Sequence, residues 1–119
     1  MSTPIGSVCH VELFAKDLDQ SARFYSELFG WTTFPHDEGY MMWEDPAGLG
    51  GGFTAAGGPT LNSAATIYMK VEDIQATLAR IVIHGGVIIR EKTEIGGNNG
   101  FYALFRDPAG NNVGLWSSI

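Results

Sequence analysis

Apolar and polar positions follow the same succession twice along this chain. From Val8 to Phe14 they alternate, with Val11 and Leu13 on one side and His10 and Glu12 on the other, the pattern of a half-buried strand. Around position 68, Ile67, Met69 and Val71 oppose Thr66, Tyr68 and Lys70 in the same way. The period then lengthens to that of a helix. Leu18, Ala22, Tyr25 and Leu28/Phe29 make one apolar stripe, and Ile74, Leu78, Ile81 and Val82 make another. Asp17 or Asp19, and Asp73, stand where N-caps belong; Gly30 and Gly85-Gly86 stand where a helix ends in a left-handed residue. Short strands follow at Trp31–Phe34, Tyr40–Glu44 and Gly50–Thr54, and again at Val87–Glu91, Tyr102–Arg106 and Asn112–Trp116.

The parallel is a repeat. Asp45-Pro46-Ala47-Gly48 returns as Asp107-Pro108-Ala109-Gly110, each a turn closing the last hairpin of its half. Val11, Leu13, Asp17 and Tyr25 have counterparts in Ile67, Met69, Asp73 and Ile81. The second half is six residues longer, and the glycine-rich stretch 96–100 is the natural place for a longer hairpin loop. Two β-α-β-β-β units are therefore expected, about 6–56 and 62–117, joined at Gly57-Gly58-Pro59 within a single domain spanning 1–119. One helix covers one face of a four-stranded sheet, so the other face must meet a second sheet or hold a molecule. The fold class expected is α+β, an open cupped barrel with its helices outside.

Composition narrows the function. Apolar residues are 45% and charged residues 17%, so the chain folds. Thirteen acidic and seven basic residues give a net charge of -6, which argues against nucleic acid and against an anionic membrane surface. No apolar run approaches the roughly 20 residues of a membrane span. Met1-Ser2-Thr3-Pro4 lacks the features of a signal peptide, and a single cysteine excludes an intrachain disulfide and a multi-cysteine zinc site. A cytoplasmic protein is expected, with Cys9 as a small apolar strand residue.

Beyond the tandem units, the phrase Arg23-Phe24-Tyr25-Ser26-Glu27-Leu28-Phe29-Gly30-Trp31 and the ending Phe105-Arg106-Asp107-Pro108-Ala109-Gly110-Asn111-Asn112-Val113-Gly114-Leu115-Trp116 carry a family resemblance. They resemble the vicinal oxygen chelate superfamily, which includes glyoxalase I, bleomycin-resistance proteins and extradiol dioxygenases. The resemblance spans roughly 6–116. It implies the cupped fold, pairing of two copies into a homodimer, and in the enzymes a divalent metal held by His, Glu or Gln from the first and last strand of each unit. Carried over, those positions are His10, Gly52, Thr66 and Gly114. Only His10 is a competent ligand, where a catalytic metal needs about three protein ligands. The expectation is a cup without cofactor or metal. A displaced site of His10, Glu12 and Glu44 is the alternative, and with it a metal-dependent lyase, isomerase or dioxygenase.

By alternation, the face away from the helices carries His10, Glu12, Phe14, Tyr40, Met42, Gly50, Gly52, Thr66, Tyr68, Tyr102, Leu104, Gly114 and Trp116. Aromatic walls with a few polar handles suit a small organic ligand. His10, Glu12 and Tyr68 are read as handles, with Tyr40, Tyr102 and Trp116 as walls; His10 with Glu12 would make an acid–base pair. His84 at a helix end, Tyr25 and Phe29 on a helix stripe, and Trp31 and Trp43 read as structural. Asp37-Glu38 and Lys92-Thr93-Glu94 read as solvated loops. A non-catalytic interaction module acting through a dimer surface is the third functional class.

Overall fold

The computed structural model describes residues 4, 5, 7–58 and 66–119, and the chain divides into two units, Met1–Pro59 and Thr60–Ile119. Unit one runs β1 (Val11–Phe14), α1 (Leu18–Phe29), β2 (Thr32–Asp37), β3 (Tyr40–Glu44) and β4 (Gly50–Thr54). Unit two runs β5 (Tyr68–Lys70), α2 (Ile74–Ile83), β6 (Val87–Glu94), β7 (Phe101–Arg106) and β8 (Asn112–Ser117). Both are α+β, and both are β-α-β-β-β. The sheet orders correspond, β1-β4-β3-β2 and β5-β8-β7-β6, with the first strand parallel to the last and the rest antiparallel.

The repeated punctuation does the same work in each unit. Asp17 accepts a hydrogen bond from the Gln20 amide at 3.1 Å, and Asp73 from the Ala76 amide at 3.0 Å, so both are N-caps. Gly30 ends α1 at φ 73° and Gly85 follows α2 at φ 93°, conformations that favour glycine. In the two Asp-Pro-Ala-Gly turns the aspartate fixes the loop. Asp45 Oδ1 accepts from the Ala47 and Leu49 amides, and Asp107 Oδ1 from those of Ala109 and Asn111, all within 2.9–3.0 Å.

Each sheet buries the face toward its own helix. In unit two, Ile74, Leu78 and Ile81 of α2 meet the side bearing Ala103, Phe105, Val113 and Leu115, all buried. Burying one such large side chain contributes about 1.5–3 kcal/mol. In unit one the core is aromatic. Trp31 and Trp43 stack at 3.9 Å between centroids, Tyr25 stacks on Trp31 at 4.4 Å, and Phe53 lies beside all three. Gly51 makes room for this, because a Cβ there would strike the Trp43 ring and the Val11 carbonyl.

Several expectations need correction. The first strand begins at Val11, so Cys9 precedes it and is exposed rather than an apolar strand residue. Val82 points out of its stripe and is 52% exposed, while Phe24, outside the expected stripe, is buried. Lys92-Thr93-Glu94 is not a loop but the end of β6, and Asp37 closes β2. Gly57 and Gly58 have positive φ, as a linker would; Pro59 lies outside the described residues, as do Gly6 and 59–65. Among the described residues no helix is long and apolar enough to cross a membrane.

Candidate functional site

Strand alternation leaves one face of each sheet away from its helix. On that face of unit one, Glu12, Gly52 and Met42 lie opposite one another across β1, β4 and β3. His10 precedes β1, and its Nε2 lies 2.7 Å from the Tyr40 hydroxyl, with the two rings parallel at 7°. The same Nε2 is 3.9 Å from Glu12 Oε2. The pKa of the Tyr40 phenol is raised, first by its partial burial, then by a hydrogen bond to Glu12 and by that carboxylate's charge. The phenol both donates and accepts, so its role toward the imidazole follows the tautomer of His10.

The corresponding face of unit two bears Tyr68, Lys70, Tyr102, Leu104 and Trp116. Tyr68 pairs with Gly114 and Lys70 with Trp116 across β5 and β8; Tyr102 pairs with Trp116 across β7 and β8. Trp116 Nε1 donates to the Asn99 carbonyl at 2.9 Å, which fixes the indole against the 96–100 loop. Tyr68 is 51% exposed. All six residues expected to serve the site thus fall on helix-free faces: His10, Glu12 and Tyr40 in one cluster, and Tyr68, Tyr102 and Trp116 in another.

Two residues of this face escaped the sequence reading. Lys70 lies 5.9 Å from the Trp116 ring centroid, and Arg90 lies 5.8 Å from that of Tyr102. Lys70 had a signal, because it alternates with Tyr68. Arg90 had a misleading one. Plain alternation from Ile88 puts Arg90 on the helix side, but β6 shifts register between Ile88 and Arg90. The extra residue turns Arg90 onto the aromatic face.

The four positions implied for a metal fit one poorly. Tyr40 lies across Gly52, and a Cβ at position 52 would strike its hydroxyl; a Cβ at Gly114 would strike the Tyr68 ring. Two rings therefore occupy the places from which two ligands would project. Thr66 is exposed, and the Nε2 of His10 is hydrogen-bonded to Tyr40. Among the described residues no three His, Cys, Asp or Glu side chains come together; His10 and Glu12 lie 3.9 Å apart, without Glu44 beside them.

Comparison with known proteins gives a consistent picture. The chain is 27% identical over 118 residues to a glyoxylase-like domain-containing protein of Didymella fabae, covering 89% of each. It is 29% identical over 121 residues to a probable lactoylglutathione lyase of Vibrio cholerae, covering 91% of this chain and 88% of that one. A crystal structure of a glyoxalase/bleomycin resistance protein/dioxygenase family enzyme from Burkholderia phytofirmans shares the fold with a TM-score of 0.78 at 14% identity, over 96% of this chain and all of that one. Residues 7–115 match the model of the glyoxalase/bleomycin resistance protein/dioxygenase superfamily, and the chain belongs to that superfamily.

Proposed function

We propose that this protein binds a small organic molecule on an aromatic, helix-free sheet face, and does so without the divalent metal of the family's enzymes. One observation carries the reading: Gly52 and Gly114, which stand at two of the ligand positions, are each covered by a tyrosine ring. Space that a ligating carboxylate would use is filled by a phenol, and a phenol offers an apolar ring and one hydroxyl to an organic ligand. Residues 1–119 act as one domain, and the protein works in the cytoplasm, where its exposed Cys9 stays reduced. It acts as a homodimer, since β1, β2, β5 and β6 are sheet edges that pairing would cover.

The test has two arms. Elemental analysis of protein purified without chelator is expected to find well under one Zn, Ni, Mn or Fe per chain. A melting-temperature screen against small aromatic and polar organic molecules is expected to find stabilising ligands, because binding to the folded state must stabilise it. A stoichiometric metal would replace this reading with the alternative, a metal-dependent lyase, isomerase or dioxygenase; the Vibrio cholerae relative is named a probable lyase.

A further inference from the structure

The charges of this chain are unevenly placed. Residues 1–59 hold eight of the thirteen acidic and two of the seven basic side chains, so that half carries the whole net charge of -6 and residues 60–119 are neutral. Three of the five cations in the neutral half stand over aromatic rings: Lys70 over Trp116, Arg90 over Tyr102 and Lys92 over Phe101, the last at 4.6 Å. None of the three has a carboxylate at ion-pair distance among the described residues.

Lys70 and Arg90 share the helix-free face. Lys70, Trp116 and Tyr102 are paired in register across β5, β8 and β7, and Arg90 reaches Tyr102 from β6. The sheet therefore presents a strip reading cation, indole, phenol, cation from one edge strand to the other, roughly 14 Å across at ordinary strand spacing. Arg90 is there only because β6 breaks register on both sides of it, between Ile88 and Arg90 and between Arg90 and Thr93. Such irregularities re-aim a side chain at a local cost in ladder hydrogen bonds.

We infer that this strip is a subsite for a planar aromatic carboxylate, its ring lying on Trp116 and Tyr102 and its carboxylate paired with Arg90 or Lys70. The inference rests on the small-molecule reading above and names the class of molecule. A guanidinium matches a carboxylate in bidentate fashion and stacks on aromatic faces, so one residue serves both parts of such a ligand. Trp116 is already fixed through its Nε1 and the Asn99 carbonyl, so little ordering is needed when a ring settles on it.

The experiment titrates the full chain with 2-naphthoate, with neutral 2-naphthamide and with inorganic phosphate, by calorimetry and by Trp116 fluorescence. Naphthoate is expected to bind about ten-fold or more tightly than the amide, the size of one charge-assisted hydrogen bond. Arg90→Gln and Lys70→Gln, at exposed positions, should shrink that ratio, and Arg90→Lys should recover part of it. Equal affinity for acid and amide overturns the carboxylate subsite but leaves small-molecule binding standing. So does an acid preference unchanged in both glutamine variants. Binding of neither probe overturns the subsite, and the melting screen then judges the broader reading alone. Displacement of naphthoate by an equal concentration of phosphate would reduce recognition to charge and overturn the aromatic part.

Discussion

The Tyr40 phenol lies across Gly52, in the volume where a side chain at position 52 would begin. Tyr68 stands in the same relation to Gly114, but it gets there differently. Tyr40 comes from β3, the antiparallel neighbour of β4, whereas Tyr68 comes from β5, the parallel neighbour of β8. Glycine is tolerated mid-strand at these two positions because a neighbouring ring supplies the missing packing.

Adding one carbon at either glycine should therefore displace a ring. Gly52→Ala and Gly114→Ala are expected to cost about 1–3 kcal/mol each, the usual range for overpacking. Gly39→Ala is the control, since a Cβ there meets nothing within 4 Å, and it should stay within about 0.5 kcal/mol of wild type. Urea unfolding measures all three. Equal stability of all three variants would mean that Tyr40 and Tyr68 move aside freely.

Tyr40 also makes a pH prediction. Its raised pKa means that the folded protein holds the phenolic proton more tightly than the unfolded chain does. The stability this represents is fully present below the unfolded value of 10.0 and is lost as pH rises through the higher folded value. Tyr40→Phe should flatten that decline, and in ultraviolet titration it should remove a tyrosine ionisation that the wild type shows above 10.0. Glu12→Gln should bring that tyrosine back toward 10.0 only in part, because burial is the larger cause. Complete return would make the carboxylate the dominant influence.

The repeat made the architecture legible from the sequence, since caps, helix ends and Asp-Pro-Ala-Gly turns are local signals. The site was legible only where local signals sufficed. Alternation placed His10, Glu12, Tyr68, Tyr102 and Trp116 on the helix-free faces. It could not find the His10–Tyr40 hydrogen bond, whose partners are 30 residues apart and meet only when β1 and β3 flank β4. Nor could it find Arg90, because a register shift inverts alternation without leaving a mark in composition. Val82 failed for a related reason: its apolarity extends the helix stripe on paper, but Leu78 and Ile81 already fill the contact with the sheet.

The two Asp-Pro-Ala-Gly turns look alike in sequence and differ in burial. Asp107 is 3% exposed and accepts a third hydrogen bond, from Asn111 Nδ2 to Oδ2 at 2.9 Å. Asp45 is half-buried, with its two amide bonds. Losing a buried acceptor strands its donors without water. Asp107→Ala should thus cost about 2–3 kcal/mol and Asp45→Ala about 1 kcal/mol, read as a difference in urea midpoint at constant slope. Equal losses would show that the turn geometry, rather than burial, sets the cost.

His10→Ala separates site from scaffold. The imidazole side chain is 40% exposed and the Glu12 side chain 53%, so any attraction across their 3.9 Å separation is screened by water and adds little to stability. The 2.7 Å hydrogen bond to Tyr40 is also solvent-accessible, so losing it should cost about 0.5–1.5 kcal/mol. Binding should suffer more, since removing His10 frees the Tyr40 ring that it orients and deletes a hydrogen-bonding group from the helix-free face. Any ligand found in the melting screen that contacts unit one should lose about ten-fold or more in affinity, and Tyr40→Phe should lose less because the ring remains over Gly52. Calorimetric titration of both variants, beside their urea curves, decides the matter. If His10→Ala instead costs several kcal/mol of stability and leaves every ligand's affinity unchanged, His10 belongs to the scaffold and the working surface lies elsewhere on the molecule.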